Sequence, residues 1–323
     1  MSTPKIFYYC YSHNRPTGGQ KHTYRHVDIL NRNGLDAYVL HPGNEFRVSW
    51  FENGTRVISE EKFRRYFNPA KDFLVVPEDL GPSINSFPGK KIIFNKNVFW
   101  GFQALGKLRD LVDPYLNREV VGAFAVSDHN FQTLKFAYPS LRLDRMFVEI
   151  SPAVFRFVSW DKKKLKIAVM LKNSPSVLAV LRMLQARSVQ QLNRSADCAW
   201  VFLEDLTEDQ VAKELGESIA LLFLSVDEGL GRLPLEAMSC GCLVAGFDAG
   251  PIRETVPIAE RFEVSNIIGV VSFLEKLIDE FLNASRGYDE LIEQGVVCAA
   301  RYSVERQERQ VLKVWASYLA GNS

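Results

Sequence analysis

Apolar runs of strand length alternate with helically spaced apolar positions along most of the chain, and their order predicts the architecture. Lys5 to Cys10 (KIFYYC) reads as a strand, followed by a loop holding Pro16, Thr17, Gly18 and Gly19. From Gln20 to Asn33, Tyr24, Val27 and Leu30 fall at helical spacing and stop at Gly34, a common residue just past a helix end. Leu35 to Leu40 is the next strand, so the chain opens with a strand, a Gly-Gly loop, a helix and a strand, whose crossover is expected to be right-handed. Further strands are predicted at Phe73 to Val76, Lys91 to Phe94, Val120 to Val126 and Met146 to Ile150. Ser127 is placed to cap a helix over Asp128 to Ala137, which Pro139 ends.

The alternation then restarts. Strands at Leu165 to Leu171, Cys198 to Leu203, Ile219 to Ser225 and Cys242 to Phe247 are separated by helices at Ser176 to Asn193, Glu208 to Leu215 and from near Pro234. Strands that are apolar throughout, with helices between them, indicate parallel sheets covered on both faces. Three more helical stretches follow: Ile267 to Asn283, Tyr288 to Ala300 and Ser303 to Ala320. The last of these carries Val304, Val311, Leu312, Trp315 and Leu319 as an apolar stripe. The basic segment Ser151 to Lys164 separates the two runs and reads as a hinge, and a chain of 323 residues suits two domains.

Composition narrows the function classes. The chain has 39 basic and 38 acidic residues, a net charge of +1 that argues against bulk nucleic-acid binding. No apolar run approaches the roughly 18 residues of a membrane span. The N-terminus MSTPKIFYYCYSH lacks a signal-peptide core, so a cytoplasmic protein is expected. EEKFRRYF (Glu60 to Phe67) mixes bases with aromatics and reads as a solvated amphipathic helix before a membrane-surface or acceptor-binding face. Phe99, Trp100 and Phe102 fit a core helix start as well as a sugar-stacking surface. The five cysteines form no C-x-x-C pair and the five histidines no ligand pattern, so no metal site is expected. No Asp-x-Asp triplet occurs either.

The densest chemistry lies in FLSVDEGLGRLPLEAMSCGCLVAGFDAGPIRETV, Phe223 to Val256. An apolar strand leads to Glu228-Gly229-Leu230-Gly231, a helix starts near Pro234, and Glu236 lies one turn inside it. A helix start leaves N–H groups unpartnered and carries the positive end of the helix dipole, which together attract phosphate. Glu228 and Glu236 can face one ligand from two sides, and each carboxylate suits a pair of hydroxyls such as a sugar or ribose offers. A nicotinamide-binding G-x-G-x-x-G is not formed, because Pro234 occupies the last position.

Glu228, Gly229, Gly231, Pro234, Glu236, Ala237, Met238, Cys240 and Gly241 resemble the E-G-x-G-x-x-P-x-E-A-M-x-C-G signature of the family-4 retaining glycosyltransferases of GT-B fold. The resemblance implies an α/β chain with two Rossmann-like domains facing across a cleft. It assigns residues 1–155 to an acceptor-side domain and 156–302 to a nucleotide-sugar donor domain. Residues 303–323 would be a helix crossing back to the first domain. It implies that Glu236 holds the nucleotide ribose and Glu228 the donor sugar. Gly229, Leu230 and Gly231 would present backbone amides to the donor, and Gly18 and Gly19 would face its phosphates from the first domain. The family usually carries an Arg and a Lys after the first strand of the second domain; here Lys172 stands at the first position and Val177 at the second. Lys172 would then stabilise the leaving diphosphate, with Arg232 as a substitute for the missing cation. The expected partners are a nucleotide-sugar donor and a saccharide, lipid-linked or small-molecule acceptor, with a peripheral membrane contact left open. Transfer would retain configuration, with neither a metal nor any other cofactor. A nucleotide-sugar binding subunit with weak or no turnover is the alternative that the reduced cation set keeps open.

Overall fold

The structure is a computed structural model that describes residues 3–106, 112–171, 175–257 and 260–321. It divides into two compact units, Met1–Val148 with Glu305–Ser323, and Glu149–Val304. The division falls earlier than the expected residue 155, because the chain from Glu149 onward bonds within the second unit: Ile150 N donates to Tyr302 O at 2.7 Å.

The first unit contains, in order, β1 (Ile6–Tyr9), α1 (Gly18–Arg32), β2 (Ala37–His41), β3 (Val57–Ser59), α2 (Glu60–Tyr66) and β4 (Phe73–Pro77). A 3-10 segment (Glu78–Ser86) follows, then β5 (Lys90–Asn95), α3 (Val98–Ala104), β6 (Val120–Ala125), α4 (Asp128–Ala137) and β7 (Leu143–Arg145). The strands form one sheet in the order β3-β2-β1-β4-β5-β6-β7, and every pairing is parallel. The order reverses between β1 and β4, which is where ligands of open α/β sheets lie, beyond the carboxyl ends of the strands.

The second unit holds β8 (Lys166–Val169), α5 (Pro175–Val189), β9 (Ala199–Phe202), α6 (Glu208–Glu217), β10 (Ala220–Phe223) and α7 (Arg232–Ser239). Then come β11 (Leu243–Phe247), α8 (Ile252–Thr255), β12 (Arg261–Phe262), α9 (Ile267–Leu282) and α10 (Asp289–Ala300). Its sheet is also parallel, in the order β12-β11-β10-β8-β9. Counted from β8 this is 2-1-3-4-5, the second common doubly wound order, with its switch between β8 and β10.

The last helix, α11 (Val304–Ala320), packs within the first unit. Its buried stripe is Gln307, Val311, Val314, Trp315 and Tyr318, so Leu312 and Leu319, expected in the stripe, sit at its edge, half-buried. Trp315 is fully buried among Tyr8, Phe73 and Phe124, and its Nε1 donates to Tyr8 Oη at 2.9 Å. Gly122 on β6 makes room for Tyr318: a Cβ there would stand 2.0 Å from the tyrosine oxygen.

One expectation shifts. The run Met146 to Ile150 is buried at Met146, Val148 and Ile150 but forms no strand; the ladder ends when Met146 N donates to Ala125 O at 2.8 Å. Strands β3 and β12 are too short to leave an apolar period in the sequence.

Candidate functional site

In the second unit the strand, turn and helix predicted at Phe223 to Val256 form at the carboxyl edge of the sheet. Strand β10 is buried throughout because its neighbours β8 and β11 cover both edges and helices cover both faces. Beyond it, the buried Ser225 donates from Oγ to Glu228 Oε1 at 2.9 Å, which orients that carboxylate at the mouth of the turn. Gly229, Leu230 and Gly231 are buried. Gly231 caps α7 with φ 74°, in the left-handed region, where a side chain is strained, and a Cβ would also meet Ile252 Cδ1 at 3.3 Å. This turn therefore requires glycine for its conformation.

Helix α7 buries Pro234, Leu235, Ala237 and Met238 against the sheet and α10. Arg232 and Glu236 are left on one face, one turn apart. Arg232 Nε donates to Glu236 Oε1 at 3.2 Å, with the two side chains only 16% and 12% exposed. Burial pulls the guanidinium pKa down, but the nearby Glu236, Glu149 and Glu208 carboxylates outweigh it, so the charge is firmly held. Nη1 of Arg232 is buried and has no acceptor. The site thus brings together Glu228, Gly229, Leu230, Gly231, Arg232 and Glu236. It combines two carboxylates, a helix start, and a cation with an uncommitted N–H.

Lys172 lies outside the described residues. Val177, at the position of the second family cation, is fully buried in the core of this unit among Ile167, Val169 and Leu184, so no cation stands there. Cys240 and Cys242 are buried as well, and Cys242 Sγ donates to Leu215 O and Ser218 O. Among the described residues no three His, Cys, Asp or Glu side chains converge as metal ligands, and no helix is long and apolar enough to cross a membrane.

In the first unit Gly18 and Gly19 are the opening residues of α1, whose Thr17 cap accepts from Gln20 N at 3.3 Å. Two further groups at this sheet edge were not singled out from the sequence. Lys96, directly after β5, lies across the first turn of α1: a Cβ on Gly19 would be 3.2 Å from its Cδ, and its Nζ donates to Thr23 Oγ1 at 3.2 Å. Glu78, directly after β4, is buried; its Oε1 accepts from Asn97 N at 2.7 Å and its Oε2 has no partner. Desolvation pushes this carboxyl up to about 7 against the opposing pull of Lys96. Both could have been found by asking which charged residues follow a strand at its carboxyl end.

No family model matches the chain. It is 24% identical over 325 residues to an alpha-1,6-glucosyltransferase of Actinobacillus pleuropneumoniae serotype 7 (strain AP76), covering 96% of this chain and 94% of that protein. Among solved structures it is similar to sucrose-phosphate synthase from Thermosynechococcus elongatus, with TM-score 0.70 and 11% identity over 98% of this chain and 100% of that one. It is also similar to the pneumococcal O-GlcNAc transferase solved with UDP and GlcNAc, with TM-score 0.65 and 8% identity over 100% and 99% of the two chains. These likenesses span both units, and the chain has the GT-B glycosyltransferase fold, an α/β architecture of two Rossmann-like domains.

Proposed function

We propose that this protein is a retaining glycosyltransferase that moves a sugar, with glucose the first candidate, from a uridine diphosphate donor to a hydroxyl acceptor. The observation that carries the reading is the Glu228 to Glu236 arrangement: two carboxylates flank a left-handed glycine turn and a helix start at the switch point of a parallel sheet. The glucosyltransferase relative and the UDP-bound neighbour supply the donor class.

In this reading Glu236 accepts from the ribose hydroxyls and Glu228 from the hydroxyls of the donor sugar. The amides of Gly229 to Gly231 line the donor. Lys172 stabilises the departing diphosphate, and Arg232 offers its unpartnered Nη1 as the second cation. The bond from the anomeric carbon to the phosphate oxygen breaks, that oxygen takes the acceptor's proton, and the acceptor oxygen bonds the same face of the sugar. No divalent ion enters this scheme, since charge is met by Lys172, Arg232 and helix starts.

A second reading, a nucleotide-sugar binding subunit with little turnover, is favoured by the buried Val177 where the family has a cation. Calorimetry with UDP and UDP-glucose, followed by release of UDP from UDP-glucose in the presence of a chelator, separates the two. Tight UDP binding with slow chelator-resistant UDP release supports a transferase. Binding with no release over hours supports the silent subunit, and no nucleotide binding sinks both.

A further inference from the structure

We propose that a pocket in the first unit lined by Asp79, Trp100, Gln103 and Ala104 is a saccharide subsite that holds a pyranose ring of the acceptor. The proposal rests on the glycosyltransferase reading for the word acceptor, but the pocket and its chemistry stand without it.

Helix α3 faces the wrong way for a core helix. Val98 and Gly101 are buried, while Phe99, Trp100 and Phe102 are 39%, 42% and 36% exposed. Adjacent exposed aromatic residues are informative where a single one is not. Beside Trp100 the pocket has a volume of about 320 Å³, at the low end for small-molecule sites and fit for one ring rather than a large ligand.

The walls are fixed by close packing. Gly81 follows the pocket's Asp79 with φ 53°, and a Cβ there would stand 2.2 Å from the carbonyl oxygen of Ala104, the pocket's other wall. Within α3, a Cβ on Gly101 would come within 3.0 Å of Asn95 Nδ2 and 3.2 Å of Glu78 Cγ. The backbone at Gly81 in the 3-10 segment therefore meets the α3 backbone at Ala104, and Gly101 of α3 lies against the side chains of Glu78 and Asn95, which sets the position of Asp79 relative to Trp100 and Gln103. Asp79 is itself oriented, since Tyr11 Oη donates to its Oδ1 at 3.1 Å.

The chemistry selects a sugar. A pyranose has an apolar C–H face that can lie on an indole and equatorial hydroxyls in its plane. A carboxylate accepts from two such hydroxyls, and a carboxamide both donates and accepts. Nucleic acid is disfavoured because the Asp79 charge opposes phosphates, and a membrane surface is disfavoured because an oriented carboxylate sits among the aromatics.

The test uses the full-length chain with maltose, lactose, cellobiose and chitobiose as probes, followed by saturation-transfer NMR and tryptophan fluorescence, with UDP titrated in parallel. At least one disaccharide is expected to bind. Trp100→Ala and Asp79→Asn should each weaken it by about tenfold or more, and Gln103→Ala less, while UDP affinity stays within about twofold. Because these three side chains are exposed or line an open pocket, melting temperatures should not move, and a variant that binds UDP normally is folded. Saccharide binding unchanged by Trp100→Ala and Asp79→Asn, or no binding of any probe by a chain that binds UDP, overturns the proposal. So does Trp100-dependent binding to phosphatidylglycerol vesicles with no saccharide signal, which would make the patch a membrane contact. Failure of UDP to bind instead removes the donor reading, and the Trp100 dependence of saccharide binding still decides this one.

Discussion

Replacing Glu236 by Gln tests the donor site most sharply, because two effects of opposite sign meet there. Gln keeps the shape and can still accept from Arg232, but it removes the charge. If Glu236 holds the ribose, the loss of a charge-assisted hydrogen bond costs about 1.5–3 kcal/mol, about ten- to a hundredfold in affinity for UDP and for UDP-glucose alike. Against this, Arg232 is released from a pair whose members are only 16% and 12% exposed, and its guanidinium becomes available to the diphosphate. That gain is limited, since Glu149 and Glu208 still attract Arg232. Loss of the pair also lowers stability, by an amount between the about 1 kcal/mol of an exposed pair and the about 3 kcal/mol of a buried one. Affinities must therefore be compared by calorimetry well below the melting transition. Glu228, which accepts from Ser225 at the mouth of the turn, gives the contrast. Glu228→Gln should leave UDP within about twofold and weaken UDP-glucose by about tenfold or more. Tighter UDP binding by Glu236→Gln would make Glu236 a restraint on Arg232 instead of a ribose ligand. Equal loss of UDP in both variants would refute the division of roles.

Other consequences can be checked separately. Trp315→Ala removes a fully buried indole and its bond to Tyr8, so it should cost about 3–5 kcal/mol and lower the melting temperature by about 2–4 °C for each of these; a loss under about 1 kcal/mol would show that α11 is not docked through this residue. Gly231→Ala forces a side chain into φ 74° and should cost about 1–2 kcal/mol together with UDP affinity, whereas an unchanged melting temperature would mean that the turn readily adopts another conformation. Glu78 keeps its proton up to about 7 in the folded chain but releases it near the ordinary value of 4.5 when unfolded. The unfolded state thus binds fewer protons between these values, so stability falls as pH rises from 4.5 toward 7, by on the order of 3 kcal/mol at most. Glu78→Gln should flatten that slope in denaturant titrations at several pH values, and an identical slope in the variant would count against the buried carboxyl.

What the sequence determined by itself was whatever repeats locally. Apolar runs at strand length, helical spacing from Gln20 to Asn33, and the Ser127 cap are enforced by neighbours a few residues away, so the alternation of strands and helices could be read directly. The Glu228 to Glu236 site was legible for the same reason: a left-handed glycine, a proline in the first helical turn and an acid one turn further on are all one short segment. Three things depended on packing between distant segments. The stripe of α11 is set by what Tyr8, Phe73 and Phe124 leave open, which turned Val314 and Tyr318 inward in preference to Leu312. Val177 became core because α5 lies on the sheet. The aromatics of α3 were compatible with core or surface until Gly81 and Gly101 fixed that helix against the segment after β4, leaving Trp100 at a pocket wall. Periodicity records which face of an element is apolar; only the tertiary structure decides what that face meets.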